Sequence, residues 1–405
     1  MKLEVIRELA RETPSRIVLC VLDGLGGLAR EETGRTELQE ADTPNLDILA
    51  RKSSLGLTYP VGPGITPGSG PGHLALFGFD PEVYDIGRGV LEATGIGLQL
   101  GPDDVAARGN FCAVDESGLI TDRRAGRIPT EQSAPLVERL AEIKLEGAEV
   151  IVQPVKDHRF VLVLRAPGLG EAVRDTDPQT VGVAPLPARP FTEDDQQSQR
   201  TAALANTWVE KARDVLKDQD RANMVALRGF AAYPRLPQMQ DIYRLKPAAF
   251  AVYPMYRGLA QLVGMEPIPS GESFADSIAA VRGQWLAGYT FFFLHYKPTD
   301  AAGEDGDFEG KVQAIEEFDR HLPAILDLQP DVLMVTGDHS TPALMAAHSW
   351  HPVPFLLHAR NLRLVDTSEG FDELHCGQGA LGTFYAKDAL VMAMAHAGKL
   401  AKYGA

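Results

Sequence analysis

Cysteine is scarce in this sequence of 405 residues, which contains only three. Cys20, Cys112 and Cys376 are far apart and odd in number, which excludes both a disulfide framework and a CxxC metal site. No segment approaches the roughly 20 consecutive apolar residues that cross a bilayer, and the charged N-terminal segment lacks the apolar core of a signal peptide. These absences predict a soluble protein of the reducing cytoplasm with no membrane partner.

Basic residues are also fewer than acidic ones. Lysine and arginine number 39 against 55 aspartates and glutamates, which gives a formal net charge of −16. General nucleic-acid binding is disfavoured, because it relies on Lys and Arg to neutralise phosphates. A small anionic substrate remains compatible with this composition if a local group of cations overcomes the global field. We therefore expect a small-molecule substrate and no nucleic-acid partner.

Short, continuous apolar runs alternate with helical segments along the chain. Runs at residues 16–22, 248–253, 290–295 and 332–336 are typical of strands buried on both faces of a parallel sheet. A further run at 223–227 is assigned to the same sheet. Strands that alternate with helices predict an α/β fold with a doubly wound, mostly parallel sheet.

The length of the chain predicts two domains, because it exceeds that of one ordinary core. Between residues 107 and 166 the apolar runs are broken by turn residues or arranged like two paired strands, and a proline-rich polar loop follows. We predict a smaller α+β domain at residues 106–190. It would be inserted in an α/β domain that comprises residues 1–105 and 191–405.

Potential metal ligands follow three of the predicted strands. They are Asp23, then an acidic segment that includes Asp300, and then Asp338 with His339. In an open α/β sheet these positions share the ligand-binding edge. Each feature alone is more often a turn, a solvated loop or a helix cap. Their coincidence favours a site with carboxylate and imidazole ligands, a set suited to Zn²⁺, Mn²⁺ or Mg²⁺.

A single serine, Ser69, lies in a segment rich in glycine and proline, GITPGSGPGHLALFGFDP. Such a segment alone is most simply a surface turn. The glycines at 68, 70 and 72 would, however, leave room for a phosphate, and the following helical segment would favour an anion at its N-terminus. A metal-bound serine can act as an alkoxide nucleophile, and two metals about 4 Å apart can clamp a phosphoryl group.

Several motifs in order along the chain resemble one family. They are VLDGLGGL, ADTPNLD, PGSGPGHLALFGFDP, RGNF, DRRAGRI, DGDFEGKV and GDHSTP followed by HSWHPVPF. Together they resemble the archaeal-type cofactor-independent (2,3-bisphosphoglycerate-independent) phosphoglycerate mutases of the alkaline phosphatase superfamily. Each motif alone is weak, but the resemblance covers nearly the whole chain. It implies an alkaline-phosphatase-like fold whose inserted domain serves as a substrate-binding lid.

The resemblance also implies a phosphoryl acceptor and two metal ions. Ser69 resembles the nucleophile, and one ion is expected to bind Asp23, Ser69, Asp338 and His339. The second ion is expected to bind Asp300, Glu304 and His348, with His351 ranked below His348.

The second metal site departs from the family pattern at one position. The family has Asp-x-x-x-His, whereas this chain has DAAGE, so Glu304 stands where histidine is expected. An extra carboxylate favours oxygen-preferring metals, so we expect Mn²⁺ ahead of Zn²⁺, Co²⁺ or Mg²⁺. A weak second site, with a neighbouring aspartate of the EDGD segment in place of Glu304, is the alternative.

Phosphoglycerate carries a phosphate and a carboxylate, and arginine side chains bind both groups bidentately. The resemblance implies a substrate-binding set made of Arg108, Arg124, Arg127, His158, Arg159 and Lys297. Arg123, which lies next to this set, is expected to be a surface or ion-paired residue.

Three functions follow in order of preference. The first is interconversion of 3-phosphoglycerate and 2-phosphoglycerate through a phosphoserine, in glycolysis or gluconeogenesis, by a monomer or small homo-oligomer. The second is a metal-dependent phosphatase or another phosphomutase on the same scaffold. The third is a phosphometabolite-binding protein inactivated at Glu304.

Overall fold

A computed structural model describes residues 2–84, 86–234, 236–360 and 368–404. The chain divides into two compact units. The first comprises Met1–Asp85 with Leu236–Ala405, and the second comprises Ile86–Arg235.

The strands, in chain order, are β1 Ile17–Leu22, β2 Ser54–Tyr59, β3 Asp104–Val114, β4 Ile120–Asp122, β5 Glu149–Pro154, β6 Arg159–Arg165, β7 Met224–Ala232, β8 Pro247–Phe250, β9 Glu266–Pro267, β10 Phe291–Tyr296, β11 Val332–Thr336, β12 Val353–Ala359 and β13 Gly382–Tyr385.

The α-helices, also in chain order, are α1 Leu3–Leu9, α2 Glu37–Glu40, α3 Pro44–Ala50, α4 Ser69–Leu76, α5 Arg88–Gly95, α6 Thr130–Ala141, α7 Gln196–Leu216, α8 Met239–Tyr243, α9 Pro254–Leu262, α10 Phe274–Gln284, α11 Pro298–Glu304, α12 Phe308–Leu326, α13 Glu373–Gly377 and α14 Ala389–His396. Short 3₁₀ turns lie at Ala125–Arg127 and Ala386–Asp388.

The first unit is built on an eight-stranded sheet with the order β13-β2-β12-β11-β1-β10-β8-β9. Only β12 runs antiparallel to its neighbours, so the sheet is mostly parallel and the predicted α/β fold is confirmed. Every residue of β1, β10 and β11 is buried, as expected for strands covered by helices on both faces. Because β1 lies between β10 and β11 and runs parallel to both, the carboxyl ends of the three strands lie side by side.

The second unit is built on a five-stranded antiparallel sheet, in which β3 pairs with β4, β6 and β7, and β5 pairs with β6. Its hydrophobic core includes Phe111 and Phe160 from the strands and Trp208 from α7. The ring centroids of Phe160 and Trp208 lie 5.9 Å apart.

The predicted bounds of the inserted domain, 106–190, were too narrow. Helix α5 precedes that range, and both α7 and β7 follow it, yet all three belong to the second unit. The run at 223–227 was therefore assigned to the wrong sheet, because it forms part of β7 and pairs with β3. A short apolar run shows that a strand is present but not which strand it pairs with.

Candidate active site

The predicted ligands of the first metal meet at the carboxyl ends of β1 and β11. One ligand atom each from Asp23, Asp338 and His339 lies within 4.8 Å of the others, and all three residues are buried. The Nε2 atom of His339 is 3.3 Å from Asp23 Oδ1 and 3.2 Å from Asp338 Oδ2. Ser69 is the first residue of α4, and its Oγ lies 3.2 Å from the same His339 nitrogen. The structure therefore brings the four residues of this predicted set together.

A second group adjoins the first and shares His339 with it. One ligand atom each from Asp300, His339 and His348 lies within 4.8 Å of the others. The imidazoles of His339 and His348 stack with ring centroids 3.7 Å apart. His351 does not belong to this group and instead stacks on Trp350.

Glu304 lies at the rim of this second group. Its carboxylate is 3.5 Å from His348 Nε2, and more than half of its side chain is exposed. Burial lowers the pKa of His348, but the Glu304 hydrogen bond and the Pro67 carbonyl outweigh burial and raise it to about 9. Glu304 thus pairs with a proposed ligand, His348, and lies outside the tight group of ligand atoms.

The donor set fits divalent cations. Asp23 Oδ1 is buried and accepts no hydrogen bond from the described part of the chain, a costly arrangement unless a cation lies beside it. Burial alone would raise the pKa of Asp23, but Lys297 and His295 hold it well below its usual range, so the carboxylate is ionised. Ligands at about 2.0–2.2 Å from a tetrahedral ion lie roughly 3.3–3.6 Å apart, close to the spacings around His339 Nε2. The two buried His/Asp groups are consistent with a binuclear metal site.

Two buried histidines outside the predicted ligand set contact the carboxylates of Asp23 and Asp338. His295, on β10, places Nε2 3.0 Å from Asp23 Oδ2. His73, one turn after Ser69 on α4, places Nδ1 2.8 Å from the Ser69 carbonyl and 3.1 Å from Asp338 Oδ2. The four-residue spacing of Ser69 and His73 was the available signal, because residues i and i+4 share a helix face.

The glycines around Ser69 do not all serve the purpose predicted for them. A Cβ on Gly72 would lie 2.2 Å from the Asp338 carbonyl oxygen, so this glycine lets α4 pack directly against the backbone of a proposed ligand. A Cβ on Gly68 would meet only Pro71, at 3.9 Å, so that position is open. The room at Gly72 is filled by protein and is not available to a phosphate.

Lys297 bridges the two groups of ligands. Its Nζ lies 3.2 Å from Asp23 Oδ2 and 2.5 Å from Asp300 Oδ2, and it donates to the Tyr256 hydroxyl at 3.0 Å. Burial would lower the pKa of Lys297, but Asp23, Tyr256 and Asp300 raise it far above its usual value. The ammonium is therefore a fixed positive charge among carboxylates.

A second lysine, Lys311, is fully buried behind the ligand-bearing loops. Its Nζ donates to the carbonyls of Gly24 at 2.9 Å, Gly26 at 3.0 Å and Thr341 at 2.8 Å. A carboxylate oxygen of Glu37 lies 4.0 Å from the same Nζ. Three carbonyls from two loops thus share one cation, which ties the loop after β1 to the loop after β11.

The second unit contains its own cluster of cationic side chains. Arg108 lies on β3, Arg159 is the first residue of β6, and His158 directly precedes it. Among the residues that the structure describes, the Nδ1 atom of His158 and the Nε atom of Arg159 are buried without a hydrogen-bond partner. Burial and the positive charges of Arg159, Arg108 and Arg124 lower the pKa of His158 to about 4, so it is neutral at pH 7. Arg127 is exposed at the end of its 3₁₀ turn.

Two further arginines belong to this cluster and were missed in the sequence. Arg88 is the first residue of α5 and Arg228 lies on β7, and their positive charges repel the positive charge of Arg108. Burial and these neighbours lower the pKa of Arg108 to about 10. Arg123 forms a bidentate ion pair with Asp177 at 3.0 and 2.8 Å, which confirms its predicted structural role.

None of the helices in the described part of the chain combines the length and the apolar character that a membrane span needs.

Comparisons with known proteins agree on one family. A family model described as 2,3-bisphosphoglycerate-independent phosphoglycerate mutase matches residues 50–221. A probable 2,3-bisphosphoglycerate-independent phosphoglycerate mutase of Thermus thermophilus is 52% identical over 99% of each chain. A protein of the same description from Thermosipho africanus is 50% identical over 99% of each chain.

Two solved structures share the fold. The PH0037 protein of Pyrococcus horikoshii has a TM-score of 0.81 and 29% identity, covering 98% of this chain and all of its own. A cofactor-independent phosphoglycerate mutase of Thermoplasma acidophilum has a TM-score of 0.72 and 29% identity, covering 95% of this chain and all of its own.

Proposed function

Because this chain belongs to the 2,3-bisphosphoglycerate-independent phosphoglycerate mutases, we propose that it transfers the phosphoryl group of phosphoglycerate through a phosphoserine at Ser69. One observation carries this assignment. The Ser69 hydroxyl lies 3.2 Å from His339 Nε2, at the point where Asp23 and Asp338 also converge. A serine placed among proposed metal ligands is suited to become a nucleophile.

Two divalent cations complete the site. One would be held by Asp23, Ser69, Asp338 and His339, and the other by Asp300 and His348, with Glu304 able to join from the rim. When bound, the ions lower the pKa of a coordinated hydroxyl and neutralise charge on the transferred phosphoryl group. The four carboxylates in this set favour Mn²⁺, with Zn²⁺, Co²⁺ or Mg²⁺ as alternatives.

The chain's own residues then perform two successive transfers. The deprotonated Ser69 oxygen forms a bond to phosphorus as the bond between phosphorus and the 3-oxygen of the substrate breaks, and the 3-oxygen takes up the proton that the Ser69 hydroxyl released. Glycerate stays bound. Its 2-hydroxyl next loses its proton as the 2-oxygen bonds to phosphorus, and the leaving Ser69 oxygen regains a proton. His73, which contacts the Ser69 carbonyl and Asp338, fixes the start of α4 throughout. Because the phosphoryl group remains on the protein between transfers, no bisphosphoglycerate is required.

Glycerate must be retained between the two transfers. We infer that the second unit is the substrate-binding lid and that its cationic cluster binds the substrate carboxylate. The buried, unpartnered Nε of Arg159 and the neighbouring Arg108 support this inference, because a desolvated guanidinium strongly favours a bidentate anion. Arg124, Arg127 and the newly found Arg88 and Arg228 are the further candidates. Exclusion of water by the lid would prevent hydrolysis of the phosphoserine.

The test is an enolase-coupled assay with 3-phosphoglycerate and no bisphosphoglycerate. Protein stripped with EDTA should be inactive and should regain activity with Mn²⁺. Release of inorganic phosphate without 2-phosphoglycerate, from folded and metal-loaded protein, would overturn the mutase assignment in favour of a phosphatase. Action in the cytoplasm and a state no larger than a small homo-oligomer stay predictions.

A further inference from the structure

Thr341 is a fully buried side chain that contacts both groups of proposed metal ligands. Its Oγ1 lies 2.6 Å from Asp300 Oδ1 and 3.0 Å from His339 Nδ1. Asp300 belongs to one group, and the Nε2 atom of His339 lies among the ligands of the other. A single hydroxyl therefore joins the two groups, and the Ser69 chemistry does not itself require it.

The two contacts of this hydroxyl differ in direction. A hydroxyl has one proton to donate, and an ionised carboxylate only accepts. The Thr341 hydroxyl therefore donates to Asp300, which pairs with the Lys297 ammonium, and its oxygen is left to accept a hydrogen bond from His339 in the tautomer that carries a proton on Nδ1. With Nδ1 protonated, a neutral His339 presents the lone pair of Nε2, the nitrogen that faces Asp23 and Asp338.

The backbone of Thr341 is held in place on three sides. Its N–H lies 3.2 Å from the Gly24 carbonyl and 3.1 Å from the Gly26 carbonyl, and its own carbonyl accepts from Lys311 at 2.8 Å. A Cβ on Gly303 would lie 2.2 Å from the same carbonyl, so α11, which carries Asp300, packs against it without a side chain between. The hydroxyl therefore cannot move far from either partner.

We propose that Thr341 is a positioning residue that couples the two halves of the metal centre. It holds His339 in the tautomer that can bind a cation through Nε2, and it turns Asp300 toward the second ion. The proposal rests on the metal centre of the proposed function. Outer partners that orient ligands in this way typically contribute about 10–100-fold to metal affinity.

The chain offers a matched pair of variants at this position. Thr341→Val keeps the shape of the side chain and removes the hydroxyl, whereas Thr341→Ser keeps the hydroxyl. Mn²⁺ binding to EDTA-stripped protein can be followed by the electron paramagnetic resonance signal of the free ion. We expect two ions to bind each native chain, Thr341→Ser to match it within about threefold, and Thr341→Val to lose about 10–100-fold in affinity.

Two controls separate positioning from folding. Thermal unfolding in EDTA shows whether Thr341→Val is folded at the titration temperature. If the variant is unfolded, ¹⁵N-histidine spectra of the native, Zn²⁺-loaded protein provide the test, because the proposal requires a proton on Nδ1 of His339. An equal Mn²⁺ affinity in folded Thr341→Val, or a protonated Nε2 in the loaded protein, would overturn the proposal. Failure of the native chain to bind Mn²⁺ would instead refute the metal centre itself.

Discussion

The close approach of α4 to Asp338 predicts the effect of one added methyl group. In Gly72→Ala, the new Cβ would lie 2.2 Å from the Asp338 carbonyl oxygen, whereas ordinary contact begins at 3.4 Å. The helix and the loop must therefore separate by about 1.2 Å (3.4 minus 2.2). A misplacement of about 1 Å costs roughly 100-fold in rate, and overpacking costs about 1–3 kcal/mol of stability. We expect kcat to fall about 100-fold, because Ser69 and Asp338 move apart.

The assay is steady-state mutase kinetics with Mn²⁺ in excess, together with urea unfolding of the same variant. Gly283→Ala is the matched control, because Gly283 also lies inside a helix, α10, and its Cβ would meet nothing within 4 Å. That control should keep native kcat and gain up to about 1 kcal/mol of stability. A Gly72→Ala protein with kcat within about twofold of native would show that the contact between α4 and Asp338 does not set the geometry of Ser69.

Three further predictions concern other parts of the structure. Burial raises the pKa of Glu373 from 4.5 to about 7. The stability linked to its protonated form is therefore fully present below about pH 4.5 and lost as the pH rises through about 7. Urea unfolding should show Glu373→Gln up to about 3 kcal/mol more stable than native at pH 8, and equal to it near pH 4.5. In the same assay, the free energy of unfolding of Lys311→Met should be about 3–5 kcal/mol lower than that of the native protein. Adding Glu37→Gln to this variant should recover part of the loss, because the second substitution removes the buried carboxylate that Lys311→Met leaves unpaired. Arg159→Met should raise the KM for 3-phosphoglycerate at least about tenfold, whereas Arg123→Met, which breaks only the Asp177 pair, should leave KM unchanged.

The sequence predicted the parts of the site that follow strands. Asp23 and Asp338 come directly after or close after buried apolar runs, and parallel strands bring their carboxyl ends to one edge, so the convergence follows from the pattern. The α/β class was predictable for the same reason. Ser69 was singled out because the glycines beside it would leave room for a phosphate and because a helical segment follows it.

The rest depended on tertiary packing that no local pattern records. Residues 223–227 have a pattern that suits a strand in either sheet, because a short apolar run does not indicate which strand it pairs with. His295 and Arg228 lie within strands, where a polar residue is as easily a satisfied core group as a functional one. The roles of Thr341 and Gly72 depend on residues far away in sequence. Thr341 contacts α11 and α12, and Gly72 packs against Asp338 in the loop after β11.

The most direct test of the proposed mechanism is detection of the phosphoserine itself. Native Mn²⁺-loaded protein would be mixed with 3-phosphoglycerate, quenched in acid within one turnover, digested and examined by mass spectrometry, with Ser69→Ala treated in parallel. Transfer through Ser69 predicts a phosphoryl group on the peptide that contains Ser69, and a Ser69→Ala protein that binds Mn²⁺ yet shows no mutase activity. An unmodified Ser69 peptide together with near-native turnover by Ser69→Ala would contradict it.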